Sequence, residues 1–195
     1  MFKKAFGVVI AGLFSASASA ASYLDGYFVP SAKIEVDIPG FGSGEADGDG
    51  FGVKGAFGFS DQLSFTAEYQ GVEFDDGAGD LDQIRLGLGF GAGIHGTGLY
   101  GVGEFVQFDD GSDDENGFGI HGGYGGTLAE GVRLHGQVGY LDVGDVDGVE
   151  FLVGGAFNLN PSLGLFADYR ASTLEGDGGA EVDFKDFRVG ARFNF

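Results

Sequence analysis

The chain has 195 residues, with 30 Asp and Glu against 10 Lys and Arg, a formal charge of −20, 41 glycines and no cysteine. Such acidity excludes binding of nucleic acid or anionic surfaces through bulk charge, and the missing cysteines exclude disulfides, thiolate metal sites and lipid attachment at a cysteine. Acidic disorder is excluded as well, because 43% of the residues are hydrophobic and 14% aromatic.

The first twenty residues read as a targeting segment. Lys3 and Lys4 form a positive start, Ala5 to Phe14 an apolar run, and Ala18-Ser19-Ala20 a small-x-small cleavage site. The mature chain is expected to begin at Ala21. No stretch of eighteen apolar residues follows, so a helical membrane protein is out.

From there short segments of period two alternate with turn-rich clusters. Over 23–38, Leu24, Phe28, Ala32, Ile34, Val36 and Ile38 share one predicted face. Asp25, Ser31, Lys33, Glu35 and Asp37 share the other. A loop is expected over 39–50. Phe51, Val53, Phe57 and Phe59 then oppose Lys54, and after a turn at 60–62, Leu63, Phe65, Ala67 and Tyr69 oppose Glu68. The hairpin recurs with Ile84, Leu86, Leu88 and Phe90 against Arg85, then Leu99 and Phe105 against Glu104. It recurs again with Phe118, Ile120 and Tyr124 against His121, then Leu134, Val138 and Tyr140 against Arg133 and His135. A fourth copy sets Phe151, Val153 and Phe157 before a turn at 160–162, then Leu165 and Tyr169 against Asp168 and Arg170.

The closing strand is the clearest. Phe187, Val189, Ala191, Phe193 and Phe195 alternate with Arg188, Gly190, Arg192 and Asn194. This ending resembles the C-terminal assembly signal of bacterial outer-membrane β-barrels. The stretches 46–63 and 81–90 resemble segments of the small proteobacterial barrel family that is OmpA-like and OmpX-like. The resemblance implies an outer-membrane location and contact with the barrel-assembly machinery through the last strand. It carries no catalytic residues.

The expected fold is all-β: one antiparallel transmembrane barrel over 21–195 of about ten strands, eight if a hairpin is misread. Charges in hydrocarbon cost roughly 2–4 kcal/mol each at the midplane, so Lys54, Glu68, Arg85, Glu104, Arg133, Asp168, Arg170, Arg188 and Arg192 must face the lumen. His121 and His135 join them. Outward aromatics fall in two rows, Phe59, Phe90, Phe157, Phe193 and Phe195 at the turn ends, and Tyr69, Phe105, Tyr140 and Tyr169 at the loop ends. Across hairpins, Lys54 is expected opposite Glu68, Arg85 near Glu104, and His121 near Gln137.

Connections near 61, 94, 129 and 161 read as short turns. Those near 45, 77, 112, 146 and 178 read as acidic loops, rich in Asp, Glu and Gly. The loops suit a solvated rim, with divalent cations bridging to lipopolysaccharide phosphates; none has the twelve-residue calcium spacing. No Gly-x-Ser-x-Gly and no His-Glu-x-x-His occurs, and two histidines do not make a metal centre. The expectation is a non-enzymatic membrane barrel without a cofactor, contacting membrane lipid and lipopolysaccharide and no nucleic acid. A narrow pore is its first rival and a barrel enzyme its second.

Overall fold

The computed structural model describes residues 21–176 and 178–195; the targeting segment at 1–20 and Asp177 lie outside the described residues. Ten strands follow in order: β1 (Ser22–Ile38), β2 (Gly42–Gly58), β3 (Leu63–Phe74), β4 (Gly79–Phe90), β5 (Gly98–Asp109), β6 (Asp114–Ala129), β7 (Val132–Val143), β8 (Val146–Asn158), β9 (Leu163–Gly176) and β10 (Glu181–Asn194). Each pairs antiparallel with its chain neighbours, and β1 pairs with β10 to close the wall. Closure removes the sheet edges, so outside its bulges the wall pairs its backbone groups strand to strand. The ends meet through Ser22 N–H to Phe195 O and Phe195 N–H to Ser22 O, both 3.0 Å. The ten-stranded antiparallel barrel expected from the alternation is therefore the fold.

Around the half of the barrel nearest the termini, the outer face is a belt of exposed apolar side chains. Phe51 is 68% exposed, Phe90 64%, Ile120 64% and Phe193 58%. A belt of this extent has no place in water, so the barrel is transmembrane. The inner face of the same span is charged. Beyond the belt the two faces exchange character. Inside, Val29, Ala32, Val72, Phe74 and Phe184 form one buried apolar cluster, and Val106, Leu141, Val143 and Leu174 another. Outside, the strands carry Glu45, Asp47, Asp80, Asp82, Asp147 and Asp183. The barrel thus continues past the membrane as a small water-facing barrel with an apolar core.

Two expectations are corrected. First, 39–50 is not a loop. The turn is only 39–41, and β2 pairs with β1 as far as Ile38 opposite Gly42. The other acidic connections are equally short, at 75–78, 110–113, 144–145 and 177–180, whereas the longest connection is 91–97 at the terminal end. Most of the acidic residues sit on strand extensions, where the ladder uses their backbone groups and water receives their side chains. Second, one face does not run unbroken along β1. Pairing slips between Phe28 and Ser31 against β10, and between Val29 and Ala32 against β2, leaving one extra residue on β1 around Pro30. Proline has no N–H for the ladder and belongs at such a bulge. Past it the parity flips: Ala32 is 1% exposed and Ile34 packs on the inner cluster, while Lys33 and Glu35 turn outward.

Glycine lets this narrow lumen hold large side chains. A Cβ on Gly139 would collide with the His121 ring, and one on Gly52 with the Tyr27 ring.

Candidate functional site

The lumen is the candidate site. Inward parity on β1, β2, β3, β4, β7, β8, β9 and β10 brings six cations, Lys54, Arg85, Arg133, Arg170, Arg188 and Arg192, together with six carboxylates, Asp25, Glu68, Glu104, Glu150, Asp168 and Asp186, Glu104 coming from β5. Eight of the twelve are buried, with Arg188, Glu150 and Asp25 fully so, while Lys54, Glu68, Glu104 and Arg133 are half-buried.

At the terminal mouth, Arg192 donates to both Asp25 oxygens at 2.8 and 2.7 Å and lies 3.9 Å over the Tyr23 ring. The 91–97 connection folds into this mouth with Gly93 and Ile94 buried. Arg133 donates to the Gly93 carbonyl and, at 3.3 Å, to that of Gly96. His95 lies 2.8 Å from Ser64 Oγ through Nε2. Burial, then the charges of Arg133 and Arg192, push the His95 imidazole down to about 4, so it is neutral at physiological pH. This contact ties the 91–97 connection to the buried Ser64 on β3.

At mid-lumen, Arg188 donates to Glu68 at 2.7 Å and lies 3.2 Å from Asp186. Tyr27 Oη donates to Glu68 at 2.7 Å. Arg170 donates to Asp186 through Nε and Nη2 at 3.0 and 2.8 Å. Lys54 pairs with Asp168, whose other oxygen lies 3.2 Å from His135 Nε2. On the opposite wall, Arg85 binds Glu150 through two bonds of 2.7 and 2.6 Å and Glu104 through one of 2.8 Å. His121 Nε2 sits 3.0 Å from Glu104. These are charge-assisted contacts, and the Arg85–Glu150 pair, like Arg192–Asp25 at the mouth, is bidentate.

Set against the sequence, the expected pairs change partners. Lys54 and Glu68 are opposed in register, yet Lys54 reaches across the barrel to Asp168 and leaves Glu68 to Arg188. Arg85 and Glu104 do meet. His121 takes Glu104, and Gln137 accepts from Tyr100 instead, at 3.2 Å. Cross-strand register anticipates neighbours on the wall; in a narrow barrel, long side chains also bond across the lumen. Asp25, Glu150 and Asp186 were missed as members of the set. Asp186 lies two residues before Arg188, so extending the period by one step would have found it. Phe187, Val189, Ala191 and Phe193 form the outward row of β10, and Phe195, one residue past its end, is also exposed.

Glu104, His121 and Glu150 bring ligand atoms within 4.8 Å of one another, the one such group among the described residues. The Arg85 guanidinium already spans both carboxylates, so the positive charge a metal would supply is present. His121 and His135 do not converge, since each faces its own carboxylate. One cavity of about 120 Å³ remains in the polar lumen, bordered by Tyr23, Lys54, Thr66, Glu68 and Tyr100, and a second of about 380 Å³ opens at the terminal mouth beside Ser22, His95, Arg133 and Arg192. In the exposed turn at 110–113, backbone N–H groups of Asp113 and Ser112 hold the Asp110 carboxyl below its ordinary value.

No family model matches the sequence, and no curated protein matches it. Solved structures share its outline. Neisserial surface protein A is 16% identical over 90% of this chain and 99% of that one, with a TM-score of 0.46. The outer membrane protease OmpT from Escherichia coli is 11% identical over 92% and 98%, at 0.49. The outer membrane protein OprG from Pseudomonas aeruginosa is 10% identical over 90% and 95%, at 0.38.

Proposed function

We propose that this protein is a sealed barrel of a bacterial outer membrane, with a structural role in the envelope and an acidic outer end that meets surface partners. The observation that carries this reading is the packed lumen. Six cations and six carboxylates neutralise each other inside the belt, and apolar clusters fill the far end. Ten strands enclose far less than the 16–18 of open porins. The targeting segment and the outward row ending at Phe195 support export and insertion by the barrel-assembly machinery, as the resemblance to OmpA-like and OmpX-like barrels implies. The termini then face the periplasm. The acidic extensions face outside, where divalent cations can link them to lipopolysaccharide phosphates. No catalytic constellation supports an enzyme.

Planar-bilayer recording tests this. The refolded mature chain is expected to give no single-channel steps. Regular steps whose size or ion selectivity changes in Arg188→Ala would establish the pore instead.

A further inference from the structure

Beyond residue 20, the lysines and arginines divide sharply. Six line the lumen, and the remaining two, Lys33 and Lys185, face outward. These two are direct partners across the β1–β10 pairing. Lys33 is outside only because the bulge at Pro30 reverses the parity of β1. Like charges directly opposite on one face of a sheet are unfavourable, so the fold carries this pair at a cost.

Their level on the wall matters as much as their sign. Lys185 is the next outward residue after Phe187 on β10, and Lys33 lies one outward step past Ser31 on β1. That is where the apolar belt ends and lipid headgroups begin. Near the same boundary β9 presents Ala171 and Thr173, and several other strands present carboxylates or amides, such as Asp49, Asp82, Gln107, Asn116 and Asp147. Each ammonium is paired with one carboxylate, Lys33 with Glu45 at 2.7 Å and Lys185 with Asp183 at 2.9 Å, with Asp47 opposite Lys33 and Glu35 opposite Asp183, and an ammonium has three donors. Both side chains remain more than a third exposed, at 37% and 39%.

We propose that the outer wall at β1–β10 is a docking site for the phosphate of a phosphorylated glycolipid in the outer leaflet, with Lys33 and Lys185 as its donors. This rests on the reading of the chain as an outer-membrane barrel. The neighbouring carboxylates make the site a poor match for phosphate free in solution. A phosphate anchored at the bilayer surface meets the lysines at high effective concentration, and its acyl chains lie along the belt beside Phe28 and Phe187. Elsewhere the acidic rim repels the same headgroup unless a divalent cation intervenes.

The test uses the mature chain refolded in detergent, with EDTA present to remove divalent bridges, and counts retained lipid by native mass spectrometry. Bisphosphorylated lipid A is expected to be retained several-fold more than its dephosphorylated form. K33Q/K185Q should lower retention to the dephosphorylated level while keeping the folded mobility on unboiled gels. Equal retention of both lipids, or unchanged retention in the variant, overturns the proposal. Displacement by excess inorganic phosphate overturns the lipid assignment. A chain that shows no folded gel form fails at the barrel reading itself, which separates that failure from this one.

Discussion

Arg188 shows what a buried charge commits the barrel to. Its side chain is fully buried and pairs with Glu68 and Asp186. Asp186 is buried and Glu68 is only 14% exposed, so neither carboxylate is well solvated if the arginine goes. Removing one partner of such a pair costs about 3–5 kcal/mol, mostly for the charge left behind. Arg188→Met is therefore expected to lower unfolding free energy in lipid vesicles by about that much in urea titrations. The double variant Glu68→Gln/Arg188→Met removes a carboxylate with the cation and should recover part of the loss. Equal losses in the two variants would mean that charge balance is not what stabilises the lumen. The alternation of β10 made the inward side of Arg188 legible. Its partners were not, because they come from β3 and from the same strand through side-chain reach, which no register encodes.

Among the elements, β1 departs furthest from its sequence pattern. Taken at period two throughout, it places Lys33, Glu35 and Asp37 in the lumen with Asp25. The bulge at Pro30 sends them outside and brings Ala32 and Ile34 in. A one-residue slip exchanges the faces of everything beyond it, so deleting Pro30 should drive Lys33 toward the apolar cluster and expose Ala32 and Ile34. The deletion is expected to fold poorly, with a lower folded fraction and weaker resistance to protease at the β1–β2 hairpin. Pro30→Ala keeps the residue count and should fold nearly as the parent does. A deletion variant with parental yield and stability would show that the bulge does not set the register. In β9, free of bulges, the alternation was legible from Leu163 to Arg170, and the strand continues in the same parity to Gly176. In β2 the glycines of 42–50 concealed a strand, because they leave no side-chain alternation to read although their backbone pairs regularly.

At the scale of the whole molecule, two barrels share one wall. Near the termini the wall is apolar outside and charged inside; past Phe28, Tyr69 and Tyr140 it is acidic outside and apolar inside. The first arrangement was visible in the alternation. The second was not, because an acidic, glycine-rich stretch looks the same in a loop as on a water-facing strand. The lower barrel needs lipid or detergent to cover Phe51, Phe90, Ile120 and Phe193, and its closed ladder leaves no strand edge where denaturing detergent can begin. The mature chain refolded in detergent is therefore expected to migrate differently on SDS gels before and after boiling. Its unboiled form should stay protease-resistant through the strand extensions, which the apolar clusters hold together. Replacing Leu141 with Asp places a charge without a partner in one of those clusters, and should make the extensions cleavable while leaving the mobility shift. If the chain instead folds in plain buffer as a monomer, the apolar faces must be packed against each other within the chain and the membrane reading fails. If Leu141→Asp abolishes the shift as well, the two regions fold as a single unit and the apolar end holds up the membrane-spanning wall.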